Sequence, residues 1–381
     1  MTDIAAAANP LAGSRRVVVK IGSALLVDVK NAVLREAWLE SVCKDIVRLR
    51  RSGMEVVVVS SGAIALARAT LGLVGRRLRL DEKQAAASVG QIRLAQAWSG
   101  ALKQHDIVAA QLLLTPDDTE IRARHLNARA TIQTLLALGC VPVINENDAV
   151  ATTEMRFGDN DRLAARVAQM IDADGVVLLS DIDGLYTADP RLDPRAEHIG
   201  LVERLTDDVM KMGGAPPPGY SSGGMHTKLL AARIATAAGA WMAIAQGQGD
   251  RPLGRLLDGE RCTWFRPAEE KNSARKRWIA SGLHSRGRLV VDQGACEALR
   301  QGASLLPAGL KSVEGDFVRG DLVAIVNEEG YECGRGLVEY DAREIARLAG
   351  HRSDEMDAIL GYRGQACLIH RDDLVMSSVR G

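Results

Sequence analysis

The stretch from Val141 to Ala165 carries the residues of this chain most suited to chemistry. Its first four residues, Val141 to Ile144, are apolar and predict a buried strand. Two polar groups of residues follow the strand: Asn145, Glu146, Asn147 and Asp148 directly, and then Asp159, Asn160 and Asp161 at the start of a helical pattern. Amide and carboxylate side chains beside the N–H groups of a helix start can bind an ammonium and a carboxylate together. The stretch therefore predicts a binding site for an amino acid.

The alternative reading of the same residues is a surface loop with an ordinary helix cap. Asp159 alone favours that reading, because aspartate is a common N-cap residue. The whole cluster favours a site, because ligands of open α/β sheets lie where strands end.

Other predicted strands also run directly into small or polar residues. The strand Arg16 to Ile21 contains Lys20 near its end, and it is followed by Gly22 and Ser23. The strand that starts at Val56 ends in a turn formed by Ser60, Ser61 and Gly62. The backbone of this turn can approach a phosphate closely. The strand Gly175 to Leu179 ends in Ser180 and Asp181.

A glycine-rich loop before a helix predicts an anion site. Backbone N–H groups can line an anion at Ser222, Gly223, Gly224 and Met225, and Lys228 lies in the first turns of the helix. The spacing around Lys228 does not match a GxxxxGK phosphate loop. His226 is better explained as a cap or surface residue than as a base. The triplet His370, Arg371 and Asp372 lacks the other protein-kinase motifs and is ascribed to chance.

The elements that hold these residues alternate between short apolar strands and helices up to about residue 265. This alternation predicts a three-layer α/β/α domain with a mainly parallel sheet covered on both faces. The carboxyl ends of parallel strands meet at one edge of such a sheet. We therefore expect the polar turns to lie close together.

The chain changes character after a charged segment, residues 266–277. From Leu289 onward, four short runs predict a small, mostly β domain with one helical stretch, Ala342 to Ala349. The four runs are LVVD, SLLPAG, LVAIVN and GLVEY. Residues 1–14 lack the apolar core and basic start of a signal peptide, and we expect them to form a flexible tail.

Composition and charge indicate a globular protein with a small-molecule partner. Hydrophobic residues make up 47% of the chain, and 48 basic residues balance 48 acidic ones, so no overall field favours nucleic acid or membrane. No apolar run approaches the ~18 residues that a membrane span requires. The six cysteines show no zinc-binding spacing, so we expect no protein-only metal site and reduced thiols in a cytoplasmic protein.

Seven runs of the chain occur in the order found in the glutamate-phosphorylating kinases of the amino-acid kinase superfamily. Six carry the kinase resemblance: VVVKIGSALL, VVVVSSGAIA, VPVINENDAV, FGDNDRLAA, LLSDIDGLYTADPR and SSGGMHTKLLAA. A seventh, residues 291–323, resembles the PUA domain that follows the kinase in many bacterial forms. The resemblance implies an amino-acid kinase domain over residues 15–265, a linker over 266–283 and a PUA-like domain over 284–381.

The resemblance implies that ATP phosphorylates the side-chain carboxylate of L-glutamate in the first step of proline biosynthesis. A carboxylate is already an anion at neutral pH, so the reaction needs no general base. Cations must instead offset the repulsion between two anions and hold the reacting groups in line. Magnesium would bridge the β- and γ-phosphates of ATP.

Matching positions give each candidate residue a role by resemblance. Lys20 and Lys228 would flank the transferred phosphoryl group, and Asp161 would orient these lysines. Glutamate would contact Ser61, Asp148 and Asn160, with Asn145 as an addition. The nucleotide would contact Gly22, Ser23, Gly62, Ser180, Asp181, Ser222, Gly223, Gly224, Met225, His226, Thr227 and both lysines. For Gly22, Ser23 and Asn145, composition alone favours a plain turn or cap.

Two alternatives remain at this point. One is a superfamily kinase for another acceptor, such as acetylglutamate, aspartate, carbamate or UMP. Asp148 argues against this alternative, because its carboxylate can pair with the free ammonium of glutamate. The other is an RNA-binding protein with a degenerate kinase domain, but 16 acidic against 12 basic residues from Arg286 onward disfavour an RNA partner. The family further implies proline as a feedback inhibitor, and we expect a homo-oligomer.

Overall fold

The computed structural model describes residues 9–28, 31–150, 160–214, 224–268 and 285–377, apart from the side chain of Arg122. The chain divides into two compact units. The first comprises residues 1–121 and 127–269, and the second comprises residues 122–126 and 270–381. Most of the predicted linker lies outside the described residues.

An eight-stranded sheet forms the centre of the first unit, in the order β10-β12-β11-β7-β1-β4-β6-β5. The strands of this unit, including two small hairpins, are β1 Arg16–Ile21, β2 Val27–Asp28, β3 Val33–Leu34, β4 Glu55–Ser60, β5 Ala109–Leu114, β6 Val141–Glu146, β7 Gly175–Ser180, β8 Leu185–Tyr186, β9 His198–Ile199, β10 Leu201–Val202, β11 Trp241–Gln246 and β12 Cys262–Phe265. The six strands from β11 to β5 are mutually parallel, as predicted. The antiparallel strand β12 was not foreseen.

The helices of the first unit cover both faces of this sheet. They are α1 Ser23–Leu26, α2 Glu36–Arg51, α3 Ala63–Thr70, α4 Leu80–Lys103, α5 Pro116–Glu120, α6 Arg122–Ala137, α7 Asn160–Met170, α8 Asp207–Lys211, α9 Met225–Ala237 and α10 Pro252–Leu257, where only residues 127–137 of α6 belong to this unit. Helices α2, α4 and α10 pack on one hydrophobic core, and α6, α7 and α9 pack on the other. This is the three-layer arrangement that the sequence predicts.

The alternation of side chains along β1 decides which layer each residue meets. Val17 and Val19 face the core of α2 and α4, whereas Val18 faces the core of α7 and α9. Lys20 has the parity of Val18 and therefore points toward α7 and α9.

The connections bring the carboxyl ends of several strands to one edge of the sheet. After β6 the chain passes through α7 to β7, on the far side of β1 and β4. A change of direction of this kind leaves a crevice at the ends of the strands, where ligands of α/β proteins bind.

A five-stranded sheet forms the second unit, in the order β14-β13-β15-β16-β17. Its elements are β13 Gly287–Val291, α11 Gln293–Arg300, β14 Leu310–Gly315, β15 Leu322–Asn327, β16 Glu332–Leu337, α12 Ala342–Leu348, α13 Met356–Leu360 and β17 Leu374–Met376. The prediction of a small, β-rich domain is confirmed.

Two details of the second unit were predicted wrongly. The run SLLPAG is not a strand: it forms one isolated bridge at Leu305 and then a 3-10 turn, Pro307–Gly309, because proline lacks the N–H that a strand ladder needs. Helix α12 is also not alone, since α11 and α13 are described as well. The side chain of Asp292 starts α11 by accepting a hydrogen bond from the N–H of Ala295 at 2.7 Å.

The prediction of six reduced cysteines is wrong for one pair. Cys296 of α11 and Cys333 of β16 form a disulfide, with Cα atoms 6.5 Å apart and a sequence separation of 37 positions. Their spacing carries no recognisable motif, so the pairing arises only from tertiary contact. Cys43, Cys140, Cys262 and Cys367 are free thiols.

The start of the described chain is packed and not loose. Leu11 is 3% exposed and belongs to the core of α2 and α4. The flexible tail predicted for residues 1–14 therefore does not include residues 9–14, because Leu11 is anchored by apolar contacts. Within the described ranges, no helix is long and apolar enough to cross a membrane.

Candidate active site

Two lysines and one aspartate meet at the carboxyl end of β1. The Nζ atom of Lys20 lies 2.6 Å from Oδ1 of Asp161, and the Nζ atom of Lys228 lies 3.1 Å from Oδ2. The aspartate is fully buried, and each lysine is 7% exposed. We call these three residues the ion triad. They come from β1, α7 and α9, so the structure brings together three groups that are spread over more than 200 residues of sequence.

The aspartate of the ion triad stays ionised, so two lysines and one carboxylate leave one net positive charge. Burial by itself raises the pKa of Asp161, but the charges and hydrogen bonds of Lys20 and Lys228 outweigh this effect and lower the pKa to about 2. Two cations thus share one anion in a site shielded from water. The remaining positive charge is suited to binding a phosphoryl group.

Local structure at the start of α9 holds Lys228 in place. Gly224 precedes the helix in an extended conformation, and Thr227 donates a hydrogen bond to the carbonyl of Gly224 at 2.8 Å. The Thr227 hydroxyl also lies 3.3 Å from Oδ2 of Asp161. The first turn of α9 is therefore tied both to its own cap and to the ion triad.

A network of neutral groups lies beside the ion triad, starting from the neighbouring residue Asn160. The Nδ2 group of Asn160 donates to Oγ of Ser61 at 2.6 Å and to Oδ1 of Asn145 at 2.9 Å. The Nδ2 group of Asn145 donates to Oε1 of Gln91 at 2.9 Å. These contacts join the carboxyl ends of β4 and β6 to the start of α7. We call Gln91, Asn145, Asn160 and Ser61 the amide network.

Gly62 makes the turn between β4 and α3 that presents Ser61. Its φ of +121° is a conformation that side-chain-bearing residues rarely adopt. An added Cβ would also approach Val27 at 3.4 Å. This combination explains why glycine follows the two serines.

The remaining predicted contacts lie around the same edge of the sheet or beyond the described residues. Asp148 follows β6 and is half-buried. Gly22 and Ser23 follow β1, and the Oγ of buried Ser180 donates to Oδ1 of exposed Asp181 at 3.1 Å after β7. Gly224, Met225 and His226 are half-buried at the start of α9. Asp159, Ser222 and Gly223 lie outside the described residues.

Sequence reasoning missed Gln91 as part of this region. Its only local signal is the preceding Gly90, since a glycine inside a 24-residue helix requires a reason. The reason is close contact: a Cβ at Gly90 would lie 1.7 Å from the carbonyl oxygen of Ala63.

The described residues contain no cluster of three or more His, Cys, Asp or Glu side chains that could hold a metal ion. Both oxygens of Asp161 already face lysines. A metal at this site would therefore be carried mainly by the phosphates of a bound nucleotide, as is common for Mg²⁺.

Comparisons with known proteins agree with this architecture. The amino acid kinase family model matches residues 15–245, and the PUA domain model matches residues 287–360. The glutamate 5-kinase of Gluconobacter oxydans is 67% identical over 97% of this chain and 98% of that protein. The glutamate 5-kinases of Paramagnetospirillum magneticum and Rhizobium etli are each 57% identical, over 97% of this chain and 99% and 95% of those proteins.

Proposed function

The chain belongs to the glutamate 5-kinases of the amino acid kinase family, and on this premise we propose how its residues carry out the reaction. The enzyme uses ATP to phosphorylate the side-chain carboxylate of L-glutamate, which is a step of proline biosynthesis. An RNA-binding protein with a degenerate kinase domain is not favoured. The observation that supports our assignment of roles is the contact of two buried lysines with one ionised aspartate at the end of β1.

In the proposed reaction, a γ-carboxylate oxygen of glutamate attacks the γ-phosphorus of ATP. A new O–P bond forms, the bond between the γ-phosphorus and the β–γ bridging oxygen breaks, and ADP leaves with the bonding electrons. No proton needs to be removed, because the attacking carboxylate is already ionised. Glutamyl 5-phosphate is the product.

Lys20 and Lys228 offset the negative charge of the transferred phosphoryl group. Asp161 acts as a positioning residue that holds both ammonium groups toward the same space. Because the carboxylate is fixed beforehand, the lysines need no reorganisation during the reaction, which is the main advantage of a preorganised charged site.

The proposed acceptor site contains Asp148, Asn145, Asn160 and Ser61. The carboxylate of Asp148 would pair with the α-ammonium of glutamate, and the amide network would fix its orientation. The proposed nucleotide site contains Gly22, Ser23, Gly62, Ser180, Asp181 and residues 222–228. Magnesium, carried by the ATP phosphates, would supply further charge neutralisation.

We further propose an amino-acid kinase domain over residues 15–265 and a PUA-like domain over 284–381 that regulates or assembles the kinase. Feedback inhibition by proline, a homo-oligomeric state and a cytoplasmic location complete the proposal. A proline titration in the kinase assay and light scattering of the purified enzyme test the first two.

The direct test of the activity traps the acyl phosphate as a hydroxamate. The purified chain is incubated with ATP, Mg²⁺, hydroxylamine and glutamate, and matched reactions contain aspartate, N-acetylglutamate or UMP as the acceptor. We expect hydroxamate with glutamate, and ADP release that depends on glutamate. Equal or faster turnover of another acceptor would contradict the proposed substrate.

A further inference from the structure

The amide network has a direction. Asn145 uses its N–H group toward one neighbour and its oxygen toward the other: Asn160 donates to Asn145, and Asn145 donates to Gln91. Gln91 ends the series as an acceptor, through its Oε1 atom at 2.9 Å. Because an asparagine amide can also rotate by half a turn, the direction has to be set by a group at one end.

The direction of the network leaves one atom of Asn160 without a partner. Among the described residues, the buried Oδ1 atom of Asn160 has no hydrogen-bond partner. The residue itself is 9% exposed. A buried acceptor without a partner is unfavourable, so this atom is suited to a donor on a ligand.

The chemistry of that ligand follows from the partial charge of the unpartnered atom. An amide oxygen attracts an ammonium group, whereas the NH₂ end of the same amide repels it. If the network were reversed, Asn160 would turn its oxygen toward Ser61 and Asn145 and its NH₂ group toward the ligand. The direction of the amides therefore decides whether a cationic donor is accepted.

The close packing of α4 on the start of α3 fixes the position of Gln91 at the end of this network. Gly90 allows α4 to approach the first residue of α3 so closely that a Cβ would lie 1.7 Å from the Ala63 carbonyl oxygen. Ala63 follows the Ser61–Gly62 turn directly. The distance between Gln91 and the strand ends is thus set by helix packing.

We propose that Gln91 is a positioning residue for glutamate: by accepting from Asn145, it orients Asn160 so that its oxygen meets the α-ammonium of the substrate. This inference rests on the proposed function, since it assigns the ammonium to the site beside the amide network. Gln91 does not touch the phosphoryl side, where the ion triad lies. It therefore sets the KM for glutamate and leaves the KM for ATP unchanged.

The test compares variants of Gln91 in the full-length enzyme with the hydroxamate assay. Gln91→Met has a similar length and no strong acceptor, so we expect the KM for glutamate to rise roughly tenfold, the effect of about one neutral hydrogen bond. The KM for ATP should stay within about twofold. Gln91→Glu keeps an acceptor and should stay within about threefold of the parent, whereas Gln91→Lys is a donor only and should behave like Gln91→Met.

The matched control is Gln96→Met, five residues further along α4 at an exposed position. It should leave both KM values unchanged. If Gln91→Met does not fold, Gln91→Lys provides the same loss of an acceptor at a half-exposed position.

Three results would overturn the proposal. In the first, the parent is active but neither Gln91→Met nor Gln91→Lys changes the KM for glutamate. In the second, these variants raise both KM values equally together with a lower melting temperature, which indicates general structural damage. The third is a parent that forms no glutamate-dependent hydroxamate, which overturns the proposed function and this inference with it.

Discussion

Asn160 and Asp161 are neighbours at the start of α7, yet one joins the neutral amide network and the other joins the ion triad. Both side chains are at least nine-tenths buried. In the ion triad, opposite charges hold each other in place. In the amide network, each group is held by a single neutral hydrogen bond to the next.

The difference follows from the substrates that each region would meet. A phosphoryl group in transfer carries several negative charges, so it requires cations, and buried cations require a fixed anion nearby. A free amino acid carries both charges, so it requires donors and acceptors with defined directions. We therefore expect changes in the ion triad to affect stability and turnover strongly, and changes in the acceptor site to affect the KM for glutamate.

Asp161→Asn should have the largest effect, because it leaves two buried lysines without their carboxylate. We expect the free energy of unfolding to fall by about 3 to 5 kcal/mol, which urea denaturation measures. Asp208→Asn, which removes an exposed partner of Lys211, is the control and should cost less than about 1 kcal/mol. Equal losses of unfolding free energy in the two variants would show that the charge of Asp161 does not stabilise the fold.

The same variant gives a pH test of the charge. The pKa of Asp161 is lowered to about 2 in the folded state, so its ionised form stabilises the fold above its ordinary pKa. That contribution is lost as the pH falls through about 2. The stability difference between parent and Asp161→Asn should therefore shrink on acidification below roughly pH 4. A difference that stays constant would contradict an ionised Asp161.

Lys228→Met should reduce kcat by roughly 10²- to 10³-fold, since it removes one of the two cations proposed to meet the phosphoryl group. The folded structure should persist, as judged by circular dichroism. Lys44→Met is the control, because Lys44 is a surface residue paired with Glu40 on the same helix. Near-normal turnover in Lys228→Met would remove this lysine from the proposed catalytic set.

Asp148→Asn should raise the KM for glutamate by roughly 10- to 100-fold, because it removes the charged hydrogen bond that we propose to the ammonium. The KM for ATP should change little. Steady-state kinetics with each substrate varied in turn separates the two. A selective loss of ATP affinity would assign Asp148 to the other substrate.

Ser61→Ala should have the smallest effect, a rise of up to about tenfold in the KM for glutamate. It removes a neutral acceptor 2.6 Å from Nδ2 of Asn160, while Asn145 still binds that group. Ser61→Thr keeps the hydroxyl and serves as the control. A loss of turnover as large as that of Lys228→Met would mean that the two regions are not separate.

The sequence predicts the strands and helices that carry the candidate site, because apolar runs such as Val56–Val59 are followed directly by polar residues. It also predicts the pairing of Lys20 and Lys228 with Asp161, but only through the resemblance to a family. No spacing rule relates residues on β1, α7 and α9, since their contact depends on the order of strands in the sheet.

Features that depend on contacts between distant segments could not be predicted from sequence patterns. Gln91 lies 54 positions from Asn145, and the Cys296–Cys333 disulfide joins α11 to β16 without a recognisable motif. The strand β12 is a four-residue antiparallel addition that the alternating pattern does not contain. In each case the information lies in contacts between distant segments.

The adjacency of residues 160 and 161 has a consequence for how this enzyme can change. Successive helical positions are rotated by about 100° and separated by about 1.5 Å along the axis, so a single peptide bond fixes the spacing between the parts of α7 that we propose meet the two substrates. A shift of α7 would carry the acceptor contacts and the lysine anchor together as one rigid body. Either proposed substrate pocket can therefore change separately through the strand ends around it, but not by a movement of this helix.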